Sequence, residues 1–216
     1  MVVQLKRLLR GQCSAGWCGA VPFGLDEPIN SLQSIINGIL TQRTSESCLL
    51  VGAPGTGKSL VLDRLFEEAK KSHNELQIIT LTGLLHHDPR TACEEILYQF
   101  EGVEHDLSVH SFDEAAEQVI EQFQQSQQIV FLVLENLDLF ASLQQAKQSL
   151  LYFLFDLQHQ ADLCVGIFGV TTRLDCISLM EKRVISRFSQ IQIHFYPLRF
   201  VLLKVRHITI QSTEFL

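Results

Sequence analysis

The sequence Gly52-Ala53-Pro54-Gly55-Thr56-Gly57-Lys58-Ser59 follows directly on the apolar run Cys48–Val51. Its glycine residues allow backbone dihedral angles with φ > 0, so that successive N–H groups can converge on an anion. Lys58 adds a positive charge, and the Ser59 hydroxyl, at the start of a helix, suits Mg²⁺ coordination. This pattern predicts a loop that binds the phosphates of ATP, with residues 52–59 as the cofactor-binding residues.

An accidental match is the alternative interpretation, in which residues 52–59 form an ordinary glycine-rich turn between a strand and a helix. At average residue frequencies, the pattern G-x-x-x-x-G-K-[ST] arises by chance in roughly 1% of chains of this length. The surroundings add support, because an apolar strand-like run precedes the loop and an amphipathic helical pattern follows it. The apolar positions of that pattern are Leu60, Val61, Leu65 and Phe66. We therefore predict a fold that is built around nucleotide binding.

The composition limits the size and the partners of the protein. With 216 residues, of which 46% are hydrophobic, the chain can bury one substantial core but not two large domains. A formal net charge of −7 argues against an electrostatic grip on nucleic acid by the whole surface, so that DNA contacts need local basic patches. No apolar run approaches the ~18 residues of a membrane span, and no membrane partner is expected.

The cysteine residues and the first residues of the chain bear on its location. Six cysteines include no C-x-x-C pair, and Cys48 and Cys164 lie within apolar strand-like runs. This distribution predicts reduced thiols in a cytosolic or nuclear protein, without a metal site. The first 22 residues contain no acidic residue and carry Lys6, Arg7 and Arg10. We interpret residues 1–22 as a basic amphipathic extension, with an organelle transit peptide as the alternative.

Five short apolar runs alternate with helical patterns. They are Cys48–Val51, Leu76–Leu81, Ile129–Leu134, Cys164–Val170 and Ile191–Phe195. The alternation predicts an α/β fold, a P-loop three-layer sandwich in which helices cover both faces of a parallel five-stranded sheet. One whole strand lies, in sequence, between the glycine-rich loop and the strand that is followed by the acidic residue Glu135. By analogy this arrangement is typical of P-loop ATPases and untypical of simple nucleotide kinases.

Capping residues mark several of the helices. Asp88 and Pro89 suit the N-cap and first position of a helix that runs to Phe100. Ser111 followed by Glu114 forms a capping box that opens a second helix, to about Gln125. Two further helices are predicted, one over Gln144–Gln158 and one that begins near Leu179 and carries Lys182, Arg183 and Arg187.

The third strand ends in Glu135-Asn136, where a P-loop ATPase needs an acidic pair to position Mg²⁺ and to activate water. Glu135 keeps a carboxylate but displaces it by one methylene group, roughly 1.5 Å. We predict Glu135 and Ser59 as metal ligands, with a solvated strand-end residue as the alternative for Glu135. Asn136 cannot accept a proton at neutral pH, so the usual general base is missing. Asp138 is a possible substitute two residues later.

Two further candidates follow the fourth strand. Thr171 is predicted as a polar sensor that hydrogen-bonds the γ-phosphate or the attacking water, and an ordinary strand-end threonine is the alternative. Arg187 ends the last predicted helix and can project toward a neighbouring protein. Taken alone, an arginine at such a position is usually solvated or complements the helix dipole.

Four segments in this order resemble the AAA+ domains of the origin recognition complex subunit-four family. They are 52–59, Leu134–Phe140, Gly169–Asp175 and Glu181–Phe188, and the similarity spans roughly residues 5–195. The runs G-x-T-x-R-L-D and E-K-R-V-x-S-R-F are the more specific ones. The resemblance implies a nuclear protein that binds ATP and Mg²⁺, assembles with other origin recognition complex subunits and acts with origin DNA in replication initiation. It also implies that Arg187, supported by Arg183, is an arginine finger that reaches the ATP of subunit one.

The sequence departs from this family in two places. Glu135-Asn136 replaces the Asp-Glu that the family usually carries, so we expect impaired hydrolysis by the chain itself. After Phe195 the sequence no longer follows the family, so the lid and winged-helix domains are expected to be missing and DNA contact to be weak. The expected layout is a basic extension (1–22), an AAA+ core (23–196) and a divergent tail (197–216). An independently active AAA+ ATPase and, less favoured, a P-loop small-molecule kinase are the alternatives.

Overall fold

The computed structural model describes residues 24–86, 88–102, 111–141 and 145–197. The helices are α1 (Asp26–Gln42), α2 (Lys58–Ser72), α3 (Pro89–Glu101), α4 (Phe112–Ser126), α5 (Leu137–Phe140), α6 (Gln145–Asp156) and α7 (Lys182–Ile185). The strands are β1 (Glu46–Gly52), β2 (Leu76–Thr82), β3 (Ile129–Glu135), β4 (Cys164–Thr171) and β5 (Ile191–Phe195). The predicted extension 1–22 and residues 198–216 of the predicted tail lie outside the described residues.

The strands form one parallel sheet in the order β2-β3-β4-β1-β5. All five strands were predicted, and their observed bounds extend the predicted ones by at most two residues at an end. The runs are unbroken because a central parallel strand is covered on both faces. In β3 and β4 every residue is buried.

Helices cover both faces of the sheet, which confirms the predicted three-layer α/β fold. On one face, α1 and α2 pack through Leu32, Ile36, Leu62 and Phe66 onto the sheet. Phe66 contacts Phe131 and Phe168, with ring centroids 5.2 Å and 5.0 Å away. On the other face, buried residues of α3, α4 and α6 form a second core. Because helices pack on both faces, the strands are held in place, and so are the residues at the carboxyl edge of the sheet, where the strands end.

The edge strand β2 is shielded by a side chain of α3. The Gln99 amide accepts a hydrogen bond from the Thr80 N–H at 2.8 Å and donates one to the Thr80 carbonyl at 2.9 Å. The side chain thus satisfies two of the backbone groups that a further strand would otherwise use. Such a contact protects an exposed edge from pairing with another chain.

The helical segments include confirmed predictions and corrections. Asp88 caps α3 by accepting a hydrogen bond from Thr91 N–H at 3.2 Å, and Ser111 caps α4 through Glu114 N–H at 3.3 Å. The helix α1 was not predicted. The helix predicted to begin near Leu179 is wrong in extent, because a 3₁₀ turn ends at Leu179, and α7 begins only at Lys182.

The structure gives a reason for the shortened helix. Met180 is extended, with ψ 146°, and its side chain is buried in the core. Glu181 is also extended, with ψ 150°. The extended backbone places the Met180 side chain in the core, and the helix can therefore begin only after Glu181. A smaller correction concerns Leu60, which was assigned to the apolar face of α2 but is exposed, while Leu62 is buried.

Gly169 of β4 lies tightly against α5, since a Cβ atom there would be 2.6 Å from Leu137 Cδ2. We expect Gly169→Ala to lower the free energy of unfolding by about 1–3 kcal/mol through overpacking. Gly38→Ala in α1 is the matched control, because nothing lies within 4 Å of its Cβ position. That change should raise the free energy of unfolding by about 0.5–1 kcal/mol. Urea denaturation measures both, and equal stability of the two variants would contradict the expectation.

Within the described residues, no helix combines the length and the apolar character needed to cross a membrane.

Candidate functional site

The glycine-rich loop begins where β1 ends, at the carboxyl edge of the sheet. Gly52 pairs with Phe195 of β5, and a Cβ atom on Gly52 would lie 2.4 Å from the Phe195 carbonyl oxygen. Only glycine therefore fits at this position. Gly55 and Gly57 have φ values of 76° and 89°, which side chains disfavour. The predicted positive φ is thus confirmed for Gly55 and Gly57 but is wrong for Gly52, which is required by the close approach of Phe195 instead.

Lys58 turns back into the loop and is buried. Its Nζ donates hydrogen bonds to the carbonyl oxygens of Gly52 at 2.6 Å and Ala53 at 2.9 Å. Burial lowers the pKa of Lys58, because the charged form loses hydration. Ser59 follows in the first turn of α2 and is half-buried. The loop thus holds a positive charge and a hydroxyl group beside the N-terminus of a 15-residue helix.

The end of β3 turns sharply. Glu135 is buried, and Asn136 adopts a left-handed conformation with φ 55° and ψ 51°. The Asn136 Oδ1 accepts a hydrogen bond from the Thr82 hydroxyl at 3.4 Å. Thr82 belongs to β2, which lies on the side of β3 away from the loop. Asn136 is therefore turned toward the edge of the sheet.

Thr171 ends β4 and is fully buried. Its hydroxyl donates to Asp138 Oδ1 at 2.8 Å and accepts from the Arg173 N–H at 3.1 Å. Thr171 pairs with Val51, directly before the loop. Because β4 separates β1 from β3, Thr171 lies between the loop and Glu135. The predicted loop, Thr171 and Glu135 thus share the carboxyl edge of the sheet.

Arg187 lies at the opposite edge. Gln158, whose amide donates to the Arg187 carbonyl, also contacts Ser189, and Ser189 bonds to Ser47 near the start of β1. The seven residues of β1 span about 20 Å. The chain therefore holds Arg187 away from its own loop.

The Arg187 guanidinium is exposed in part and faces α6. Its Nη2 donates to the Tyr152 hydroxyl at 3.0 Å, and its Nε lies 3.1 Å from Asp156 Oδ1. The pKa of Arg187 is raised, first by the hydrogen bond to Tyr152 and then by the charge of Asp156. Arg183 also lies over the Tyr152 ring, 5.7 Å from its centroid. These contacts orient a planar cation at the surface.

Two features of the site were missed from the sequence. The hydrogen bond between Thr171 and Asp138 joins residues 33 positions apart. The buried His86 accepts a hydrogen bond from Thr82 N–H at 2.9 Å and so ties the loop after β2 to the strand end. A strand-end threonine and a carboxylate shortly after a strand were visible signals, but their contact joins two strand ends that only the fold brings together.

The donor set fits a nucleoside triphosphate with its metal ion. The loop supplies backbone N–H groups, the Lys58 charge and the Ser59 hydroxyl, which suit phosphate and Mg²⁺. In the part of the chain that the structure describes, no group of three His, Cys, Asp or Glu side chains is arranged as a metal site. Cys48, Cys93, Cys164 and Cys176 are buried free thiols.

Comparison with known proteins identifies the domain. Residues 21–165 match the family model of the AAA ATPase domain. Origin recognition complex subunit 4 of Rattus norvegicus is 35% identical over 205 residues, which cover 88% of this chain and 46% of that protein. Origin of replication complex subunit 4 of Arabidopsis thaliana is 34% identical over 179 residues, which cover 80% of this chain and 42% of that protein. The chain thus spans less than half the length of these curated relatives.

Solved structures share the fold. The ORC1 protein of Aeropyrum pernix in complex with DNA superposes with a TM-score of 0.68 at 24% identity, covering 86% of this chain and 49% of that one. The ORC2 protein of the same organism, solved as ADPNP-ADP complexes, has a TM-score of 0.67 at 12% identity, covering 83% of this chain and 50% of that one. Together with the loop geometry, the family match shows that the chain belongs to the AAA ATPase domain family.

Proposed function

We propose that this protein is an ATP-binding AAA+ subunit of an origin recognition complex, acting in the initiation of DNA replication in the nucleus. The observation that carries the proposal is the division of the site. A phosphate-binding loop lies at one edge of the sheet and an oriented arginine lies at the other. In such an arrangement, each subunit binds one nucleotide with its loop and contacts the nucleotide of a neighbouring subunit with its arginine.

The loop residues 52–59 would hold the phosphates of ATP. Lys58 is the charge that contacts them, once its Nζ exchanges the carbonyl oxygens of Gly52 and Ala53 for phosphate oxygens. Ser59 and Glu135 would hold Mg²⁺, which neutralises the phosphate charge when bound. Mg²⁺ is usually bound by one or two carboxylates, substrate phosphates and several water molecules, and a P-loop adds its Ser/Thr hydroxyl, so Glu135 and Ser59 have the right chemistry for this role.

Hydrolysis by the chain itself is proposed to be impaired. Asn136 carries an amide, which cannot take a proton from water at neutral pH. Its side chain also bonds to Thr82 on the outer side of β3. Thr171 remains the proposed sensor, because it lies between the loop and Glu135.

Arg187 is proposed to act on the nucleotide of a neighbouring subunit, and subunit one is the neighbour that the family resemblance implies. Two facts support an action in trans. The residue is held at the edge away from its own loop, and Tyr152 and Asp156 fix its guanidinium group at the surface. A planar, oriented guanidinium can stabilise the charge that develops during phosphoryl transfer.

The proposed partners are other origin recognition complex subunits and origin DNA. The names of the curated relatives support the first, and a neighbour solved in complex with DNA supports the second. With a net charge of −7, the contact with DNA is expected to be weak. The proposed layout keeps a basic extension at 1–22, the AAA+ core at 23–196 and a divergent tail at 197–216.

We expect the isolated chain to bind Mg-ATP but to release phosphate at no more than the rate of a buffer control. Restoring the acidic pair with Glu135→Asp and Asn136→Glu should raise hydrolysis only when a partner subunit supplies its arginine. Phosphate release, measured with and without the partner, tests this result. Glu117→Asp on the exposed face of α4 is a control for the altered side-chain length.

Strong turnover by the unaltered chain alone would contradict the proposal and favour an independently active ATPase. One observation favours that second candidate, namely that Asp138 lies beside Thr171 on the loop side of β3. Such turnover should depend on Lys58 if it belongs to this site.

A further inference from the structure

Two polar side chains that follow β3, those of Asn136 and Asp138, contact different neighbouring strands. Asn136 contacts Thr82 on β2, whereas Asp138 contacts Thr171 on β4, the strand beside the loop. The backbone at Asn136, between β3 and α5, is left-handed with φ 55°. Of the residues that follow Glu135, Asp138 therefore supplies the carboxylate that contacts β4, on the loop side of β3.

The hydrogen bonds of Thr171 can be counted. A threonine hydroxyl has one proton to donate, and a carboxylate can only accept. At 2.8 Å, the Thr171 proton points to Asp138 Oδ1. The Arg173 N–H donates to the Thr171 oxygen at 3.1 Å. Thr171 therefore has no proton left for a phosphate oxygen while Asp138 holds it.

We infer that Asp138 controls the nucleotide preference of the site by lowering the affinity for a nucleoside triphosphate relative to a diphosphate. The inference rests on the proposed nucleotide binding at residues 52–59. A γ-phosphate beside Thr171 would lie next to a hydroxyl oxygen that has no proton to donate, and the Asp138 carboxylate hydrogen-bonded to that hydroxyl would repel it. A nucleoside diphosphate has no γ-phosphate and therefore avoids both unfavourable contacts. Asp138 is thus a specificity residue that acts through Thr171.

Other charges near Asp138 leave this effect in place. The Arg173 guanidinium forms two hydrogen bonds with Asp175, at 3.0 Å and 2.7 Å. Its charge is therefore shared with a carboxylate of its own and is exposed to solvent. Cys176 also hydrogen-bonds Thr171, but burial raises the pKa of its thiol to about 11. At neutral pH the thiol therefore keeps its proton, which it can donate to the Thr171 oxygen, and adds no charge.

Isothermal titration of the whole chain with Mg-ADP and with the non-hydrolysable Mg-ADPNP tests the inference. Asp138→Asn removes the charge, and its amide can turn the NH₂ group to the Thr171 oxygen, so that the Thr171 proton becomes available to a phosphate oxygen. Hydrogen bonds to charged groups are strong, so the preference for triphosphate over diphosphate should rise about tenfold or more. The gain should disappear in the double variant Asp138→Asn, Thr171→Val. Asp162→Asn removes the same charge at an exposed loop before β4, at the opposite edge, and should change neither affinity.

A ratio that is unchanged or lowered in Asp138→Asn, while both nucleotides still bind, would overturn the inference and leave the proposed function intact. A gain that persists without the Thr171 hydroxyl would also overturn it, because the effect would then not pass through Thr171. If the unaltered chain binds neither nucleotide, the proposed function itself fails. Circular dichroism of each variant checks that the fold is retained.

Discussion

Replacing Arg187 with alanine is expected to lower ATP hydrolysis by a neighbouring subunit about 10³–10⁵-fold in a reconstituted complex. The guanidinium would stabilise charge in the neighbour's site and cannot reach its own loop at the other edge of the sheet. The affinity of this chain for Mg-ATP should therefore stay the same. Phosphate release by the complex and nucleotide binding by the isolated chain measure the two effects separately.

The structure suggests controls for this experiment. Arg187→Lys should restore little activity, because an ammonium group cannot reproduce the planar fork that contacts Tyr152 and Asp156. Arg43, which lies before β1, forms a salt bridge with Glu75. The control variant Arg43→Ala removes this arginine and should leave hydrolysis unchanged. The Arg187 pair with Asp156 is partly exposed, so losing it costs at most about 1 kcal/mol of stability. Weakened nucleotide binding together with unchanged partner activity would make Arg187 a local residue.

The sheet could be predicted from the sequence because its strands are buried on both faces. Unbroken apolar runs such as Ile129–Leu134 are a strong signal in a parallel sheet. The loop was equally clear, since Gly52, Gly55 and Gly57 are required by the backbone itself. Both signals lie within short segments of sequence, so the sequence alone was sufficient, although the contact that requires Gly52 comes from the distant Phe195.

The parts that were missed depend on packing between distant segments. The helix α1 had a visible signal in Leu32, Ile36 and Ile39, which are buried at helical spacing. The extended backbone at Met180 had none, because it follows from burial of that side chain in the core. A sequence pattern shows the periodicity of one segment, whereas the burial of a particular side chain depends on its packing against other segments.

The candidate site shows the same limit at the level of single hydrogen bonds. The candidates Glu135, Asn136 and Asp138 were visible as a short polar run after a strand. Their directions were not visible, because the partners of Asn136 and Asp138 lie on two other strands that only the fold brings alongside β3. The residue in the expected position of the base faces β2, and the later carboxylate faces Thr171.

Lys58→Ala is expected to abolish Mg-ATP binding by this chain. In the unaltered protein, Mg-ATP at ~100 times its dissociation constant should add ~2.7 kcal/mol to the free energy of unfolding. The same concentration should leave the denaturation curve of Lys58→Ala in place, since the variant lacks the charge that contacts the phosphates. Lys71→Ala, at the exposed end of α2, removes an equal charge and should keep the full stabilisation.

A pH series tests whether the charge of Lys58, and not its packing, carries this effect. Burial lowers the pKa of Lys58, so the side chain loses its proton at a lower pH than an ordinary lysine does. ATP affinity should therefore fall as the pH rises through this lowered pKa, and Lys71→Ala should follow the same curve. A variant Lys58→Ala that is still stabilised by Mg-ATP would contradict the prediction. Binding would then depend on the backbone N–H groups of the loop alone, and the hydrogen bonds from Lys58 to Gly52 and Ala53 would have only a structural role.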